Sequence, residues 1–199
     1  MKKPATTQAP VHDIIANRWS PRAYDASKPV SQAQIISMLE AARWAPSCFG
    51  DEPWRFIVWD KNKDAAAWEK AFDCIVQGNQ GWAKDAPVFV LICAGTLFEQ
   101  NQKPNRWGAY DTGAAAVSLS LQATSMGLVT HQMGGFDGEK TRAAFNIPDQ
   151  FEMMSMMAVG YIADVDALRQ EAKERTLAPR KRKPLGELFY EGVWNQSII

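Results

Sequence analysis

The chain has only three cysteines and two histidines among 199 residues. Cys48, Cys74 and Cys93 are odd in number and form no CxxC pair, which argues against a disulfide framework. Two histidines are too few for a His-rich metal site. Net charge is also missing: 22 basic residues balance 22 acidic ones. Nothing therefore favours nucleic acid or an anionic membrane as a global partner. No GxGxxG or P-loop pattern occurs, so a Rossmann or P-loop nucleotide site is unsupported. No run reaches the roughly 20 apolar residues of a membrane span. The opening MKKPATTQAP carries two lysines with no apolar segment behind them, unlike a signal peptide. The expectation is a soluble protein of a reducing, cytoplasmic compartment.

Hydrophobic residues make up 46%, enough for a packed core. The length fits one domain spanning 1–199, with 1–10 as a loose tail and 179–199 as a C-terminal arm. Eight Trp and nine Phe exceed what so short a chain needs for its core. A pocket or a subunit interface would use the surplus; ordinary core packing is the competing reading.

Along the chain, 11–19 reads as a short helix that Pro21 ends or bends. The segment 31–45 reads as a helix, with Ser31 and Gln34 at capping-box spacing and Ile35, Ile36, Leu39 and Ala42 at helical period. Pro46 to Pro53 is a loop, and RFIVW at 55–59 a strand. A helix is expected over 64–76. PVFVLICA at 87–94 suits a strand buried on both faces. Residues 107–126 are small and apolar with Asp111 as the lone charge, so that helix must be covered on nearly every side, by the core or by a second subunit. A strand at 128–132, a Gly-Gly turn at 133–136, a helix at 138–145, a strand at 154–163 and a charged helix at 166–176 follow. The tail from Pro179 contains Phe189, Tyr190 and Trp194, which need cover. Helices and four strands mix without a βαβ rhythm, which favours α+β, or a mixed sheet with helices on both faces.

Four local patterns could carry chemistry. Arg18-Trp19-Ser20-Pro21-Arg22 sets two guanidinium groups about a hydroxyl, a set suited to phosphate. Pro46-Ser47-Cys48-Phe49 begins a loop that can present backbone groups to a flat ligand. Met133-Gly134-Gly135 lets a ligand approach the backbone closely. Arg180-Lys181-Arg182-Lys183 could hold an anion. Taken singly, these are a helix end, a loop, a turn and a solvated run.

In that order along the chain, they resemble the nitroreductase family of flavoproteins from about residue 11 to the C-terminus. The carrying motifs are R-W-S-P-R, A-P-S-C-F-G-D-E-P-W-R-F, the Gly-Gly turn after LVTHQ, A-V-G-Y, and R-K-R-K-P-L. The resemblance implies a mixed, mostly antiparallel sheet flanked by helices, in an intertwined homodimer whose C-terminal arm reaches the partner. It implies FMN as cofactor and NADH or NADPH as co-substrate. Arg18, Trp19 and Ser20 would lie near the phosphate and ribityl chain, and Arg22 near the pyrimidine edge. Pro46, Ser47, Cys48 and Phe49 would lie along the ring, with Asn79 at its polar edge. Met133, Gly134 and Gly135 would face flavin N5, and Arg180 and Arg182 would hold the phosphate.

The implied activity is ping-pong transfer of hydride from NAD(P)H, through N5, to a nitroaromatic, a quinone or a similar small-molecule acceptor. No side chain acts as nucleophile or base. Cys48 stands where Ser is usual, Asp51-Glu52 where an amide is usual, and Gly134-Gly135 for an acidic-Gly pair. These departures leave other acceptor chemistries open: reductive dehalogenation, enal or semialdehyde reduction, flavin cleavage, or a flavin carrier or sensor without turnover.

Overall fold

The computed structural model describes residues 1–168 and 170–199. Its chain order is α1 (Asp13–Asn17), α2 (Gln32–Arg43), β1 (Trp54–Asp60), α3 (Ala65–Phe72), α4 (Gln77–Ala83), β2 (Val88–Gly95), α5 (Gly108–Ser125), β3 (Val129–Met133), α6 (Gly138–Phe145), β4 (Phe151–Gly160) and α7 (Gln170–Leu177). The four strands form one sheet in the order β1-β2-β4-β3. Every pairing in it is antiparallel.

β2 is apolar at almost every position because both of its faces are covered. Phe89, Leu91 and Cys93 face α3, α4 and α6, in a core that includes Trp68, Met156 and Ala158. Trp68 stacks on Phe89 at 4.9 Å and on Phe72 at 5.4 Å. Val88, Val90 and Ile92 face α2 and α5, packing with Met38, Leu119 and Met157. The predicted capping box at Ser31 and Gln34 is present in both directions.

Several boundaries differ from the sequence-based expectation. The helix expected over 64–76 stops at Phe72, and a second helix, α4, runs through Gly78 and Gly81. Glycine disfavours helix there; burial of Ala83 and partial burial of Trp82 override that preference. β4 begins at Phe151, where it pairs with Gly95, and Ile162 leaves the ladder to bridge Tyr24. The stretch expected as one helix over 166–176 holds a short 3-10 turn, Val165–Ala167, and then α7. The first ten residues are tied in place: Ala5 N–H donates to Ala16 O, and Gln8 accepts from Leu185 N–H.

α5 is covered on one side only. Asp111, Thr112, Ala115, Ala116, Leu119, Ser120 and Ala123 face the core, while Ala109, Tyr110, Gly113 and Val117 form an exposed, uncharged stripe. The C-terminal arm folds back through a Tyr190–Ser197 bridge. It leaves Phe189, Val193, Trp194, Ile198 and Ile199 exposed.

The start of α5 is pressed against the end of β2. A Cβ on Gly108 would lie 2.1 Å from the Gly95 carbonyl oxygen, a backbone atom with no room to yield. Gly108→Ala should lower stability by about 1–3 kcal/mol, the usual cost of overpacking. Urea unfolding of the variant beside the parent checks this.

Candidate functional site

Arg180 joins the two ends of the chain. One Nη1 donates to Lys3 O at 2.8 Å and Ala16 O at 2.7 Å, and Nη2 donates to Arg18 O at 2.9 Å. Arg18, at the end of α1, in turn donates to Ser20 Oγ at 3.3 Å. Burial, followed by Arg180 and Arg182, holds the Arg18 guanidinium below its ordinary pKa. Burial and Arg182 do the same to Arg180, and burial and Arg180 to the Lys3 ammonium, which lies over the Trp19 ring. No carboxylate contributes to any of these shifts. Like charges packed this way repel one another, and an anion seated among them would relieve the repulsion.

The Gly-Gly turn lies off the end of β3 and is fastened to the α3–α4 junction. Val76 N–H donates to Gly135 O at 3.1 Å, Asp137 N–H donates to Cys74 O at 2.8 Å, and Ile75 bridges Phe136. The Asn79 amide nitrogen lies 3.5 Å from Gly135 O. Asn79 and Gly135, predicted separately, are thus neighbours. On the same strand, His131 Nδ1 is 2.8 Å from Pro21 O, which ties β3 to the Arg18–Arg22 segment. Arg18 and Arg22 both face that imidazole. Arg18, Ser20, Arg22, Asn79, Gly134 and Gly135 therefore gather around the β3 end of the sheet. Trp19 and Met133 are buried, so only their backbone groups are available to a ligand.

The loop from Pro46 lies at the opposite sheet edge, where it leads into β1. Cys48 N–H donates to a buried Asp111 carboxylate oxygen at 2.9 Å, and Glu52 N–H donates to Ser47 Oγ at 3.1 Å. Asp51 accepts from Glu99 N–H and from the Asn105 amide. Phe49 has φ +56° and is 84% exposed. β1 and β3 are three strand spacings apart, about 14 Å. One chain thus places the two halves of the predicted site at different sheet edges.

Sequence reasoning did not place His131, Trp82 or Asp111 in a site. Asp111 had a signal, as the lone charge in an apolar helix. Asp51-Glu52 read as a departure bearing on substrate; here Asp51 is a loop fastener. Among the described residues, no group of three His, Cys, Asp or Glu could hold a metal, and no helix is long and apolar enough to cross a membrane.

The two turn glycines should respond differently to substitution. A Cβ on Gly135 would meet Asn79 Nδ2 and Val76 Cγ2 at 2.8 Å, whereas one on Gly134 would meet nothing within 4 Å. Gly135→Ala is expected to cost about 1–3 kcal/mol and Gly134→Ala little, as read from thermal unfolding of both variants.

Comparison with known proteins bears on the family and the fold. The family model described as "Nitroreductase family" matches residues 15–161. A protein of Methanothermobacter thermautotrophicus, provisionally named an NADH dehydrogenase/NAD(P)H nitroreductase, is 30% identical over 158 residues, covering 77% of this chain and 78% of its own. A protein of Ralstonia nicotianae with the same kind of provisional name is 30% identical over 152 residues, covering 67% and 76%. A crystal structure described as an oxidoreductase containing FMN superposes with a TM-score of 0.88 at 33% identity, covering 97% of both chains. A Clostridium difficile nitroreductase family protein shares the fold, with a TM-score of 0.69 at 22% identity over 90% of this chain and 96% of its own. With the motifs, the sheet order and the family match in agreement, the chain belongs to the nitroreductase family.

Proposed function

We propose that two copies of this chain form an FMN-dependent oxidoreductase that uses NAD(P)H to reduce a nitroaromatic, a quinone or a similar small acceptor. The observation that carries the reading is the group of Arg18, Arg180 and Arg182, which crowd one another with no carboxylate contributing. A phosphate monoester fits that donor set. Arg18 and Arg182 bind it, Ser20 adds a hydroxyl, and Arg180, already committed to three carbonyls, holds the cluster in shape. The open space over Gly134 and the nearby Asn79 amide suit a flat ring with a polar edge.

When bound, FMN would supply the two-electron redox chemistry between NAD(P)H and the acceptor. The protein orients and shields. Arg22 would stand as a cation beside the pyrimidine edge, where it would favour negative charge. The Gly134-Gly135 backbone would border the ring on the side left open over Gly134. This chemistry would need no side chain as nucleophile or base.

A second copy brings the Pro46, Ser47, Cys48 and Phe49 loop to the ring, which one chain alone leaves at the far sheet edge. The uncharged α5 stripe and the exposed Phe189, Val193 and Trp194 of the arm are surfaces such an assembly would cover. All three thiols are free, which suits a reducing, cytoplasmic compartment.

The test is the absorption spectrum of the purified protein before and after anaerobic NAD(P)H. A flavin spectrum that bleaches, then returns with a nitroaromatic or quinone, is the expected result. A flavin that cannot be bleached would favour a carrier or sensor, and protein that takes up no FMN would refute the reading. Arg18→Ala should weaken FMN binding by about 1.5–3 kcal/mol, the worth of a charged hydrogen bond. Arg182→Ala, at an exposed position, should weaken it less.

A further inference from the structure

We infer that His131 is a positioning residue of this site: its Nδ1–H, donated to the Pro21 carbonyl, fixes the bend that aims Ser20 and Arg22 at the flavin. The inference rests on the flavin reading above. The Pro21 carbonyl can only accept, so the ring nitrogen 2.8 Å away must carry the hydrogen. Pro21 has no N–H with which to anchor itself. The Arg18 carbonyl is held by Arg180, and beyond the bend the Ala23 carbonyl accepts from Ala163 N–H. Between those ties, His131 grips the Arg18–Arg22 segment from β3.

The imidazole is itself held firmly. Its residue pairs with Ala158 of β4, and Trp82 of α4 packs at 4.5 Å between ring centroids. Tyr24 lies beyond Trp82, its hydroxyl donating to the Ala158 carbonyl. The charged groups facing the ring are Arg18 and Arg22. Burial first, and then these two cations, push the imidazole below its ordinary pKa, although the Pro21 and Ser20 carbonyls oppose them. The ring is therefore neutral near pH 7, with its hydrogen on Nδ1. That tautomer keeps the tie without adding another cation beside two arginines.

Two substitutions separate positioning from packing. His131→Asn keeps an N–H donor at nearly the Nδ1 position, and His131→Leu keeps bulk but removes the donor. FMN dissociation constants, from quenching of flavin fluorescence by apoprotein, should rise at least about tenfold in the Leu variant and stay within about threefold of the parent in the Asn variant, as the loss of one hydrogen bond to a buried carbonyl predicts. Equal weakening in both variants, or none in either, would overturn the inference. Should the Leu variant fail to fold, 15N-resolved imidazole NMR of the parent gives an independent answer. With only two histidines in the chain, a His12 variant assigns the signals. An Nδ1–H tautomer whose resonance moves on FMN addition is expected for His131; an Nε2–H tautomer, or no movement, contradicts it. Parent protein that binds no FMN would instead overturn the flavin reading on which the inference stands.

Discussion

Arg180 reaches across 162 residues of sequence to the carbonyl of Arg18, and the candidate site depends on that reach. Its guanidinium spends donors on Lys3, Ala16 and Arg18 carbonyls, so it binds the N-terminal segment, α1 and the C-terminal arm together. The fork shape of arginine makes this possible, since one planar group can satisfy several carbonyls at fixed angles. The consequence is electrostatic. Arg180 and Arg182 add to burial in holding Arg18 below its ordinary pKa, and Arg182 adds to burial in doing the same to Arg180. On the proposed reading, an anion such as a nucleotide phosphate would relieve the repulsion among these cations.

The sheet sets the second constraint. Its order puts β1 and β3 at opposite edges. The Arg18–Arg22 segment and the Gly-Gly turn attach to the β3 side, and the loop carrying Ser47 and Cys48 to the β1 side. Asp111 fixes that loop from the first turn of α5, where a carboxylate also complements the helix dipole. A rigid sheet cannot bend to close the gap. On the proposed reading a second chain closes it, covering the exposed apolar surface of α5 and of the arm.

Much of the fold was legible because its elements carry strong local patterns. The apolar run of β2, the capping box of α2 and the Gly-Gly turn each state their structure in a few residues. α4 was not legible, since Gly78 and Gly81 argue for a loop and only packing around Ala83 makes a helix of it. The site was legible in part. Arginines suited to phosphate stand out by type, whereas the role of Arg180 as a strut depends on carbonyls more than 160 residues away. His131 looked like one polar residue in a strand; its bond to Pro21 arises from tertiary contact between distant segments. The exposed stripe of α5 also marks the limit of composition, which reports that a helix is apolar all round but not what covers each side.

Sedimentation of the protein with and without FMN, with bound flavin quantified in the same sample, bears on all of this at once. A particle of twice the 22.2 kDa chain mass carrying one flavin per chain is the predicted result. A 22.2 kDa monomer that binds FMN just as tightly would contradict it, because one chain would then have completed a site that its sheet holds apart.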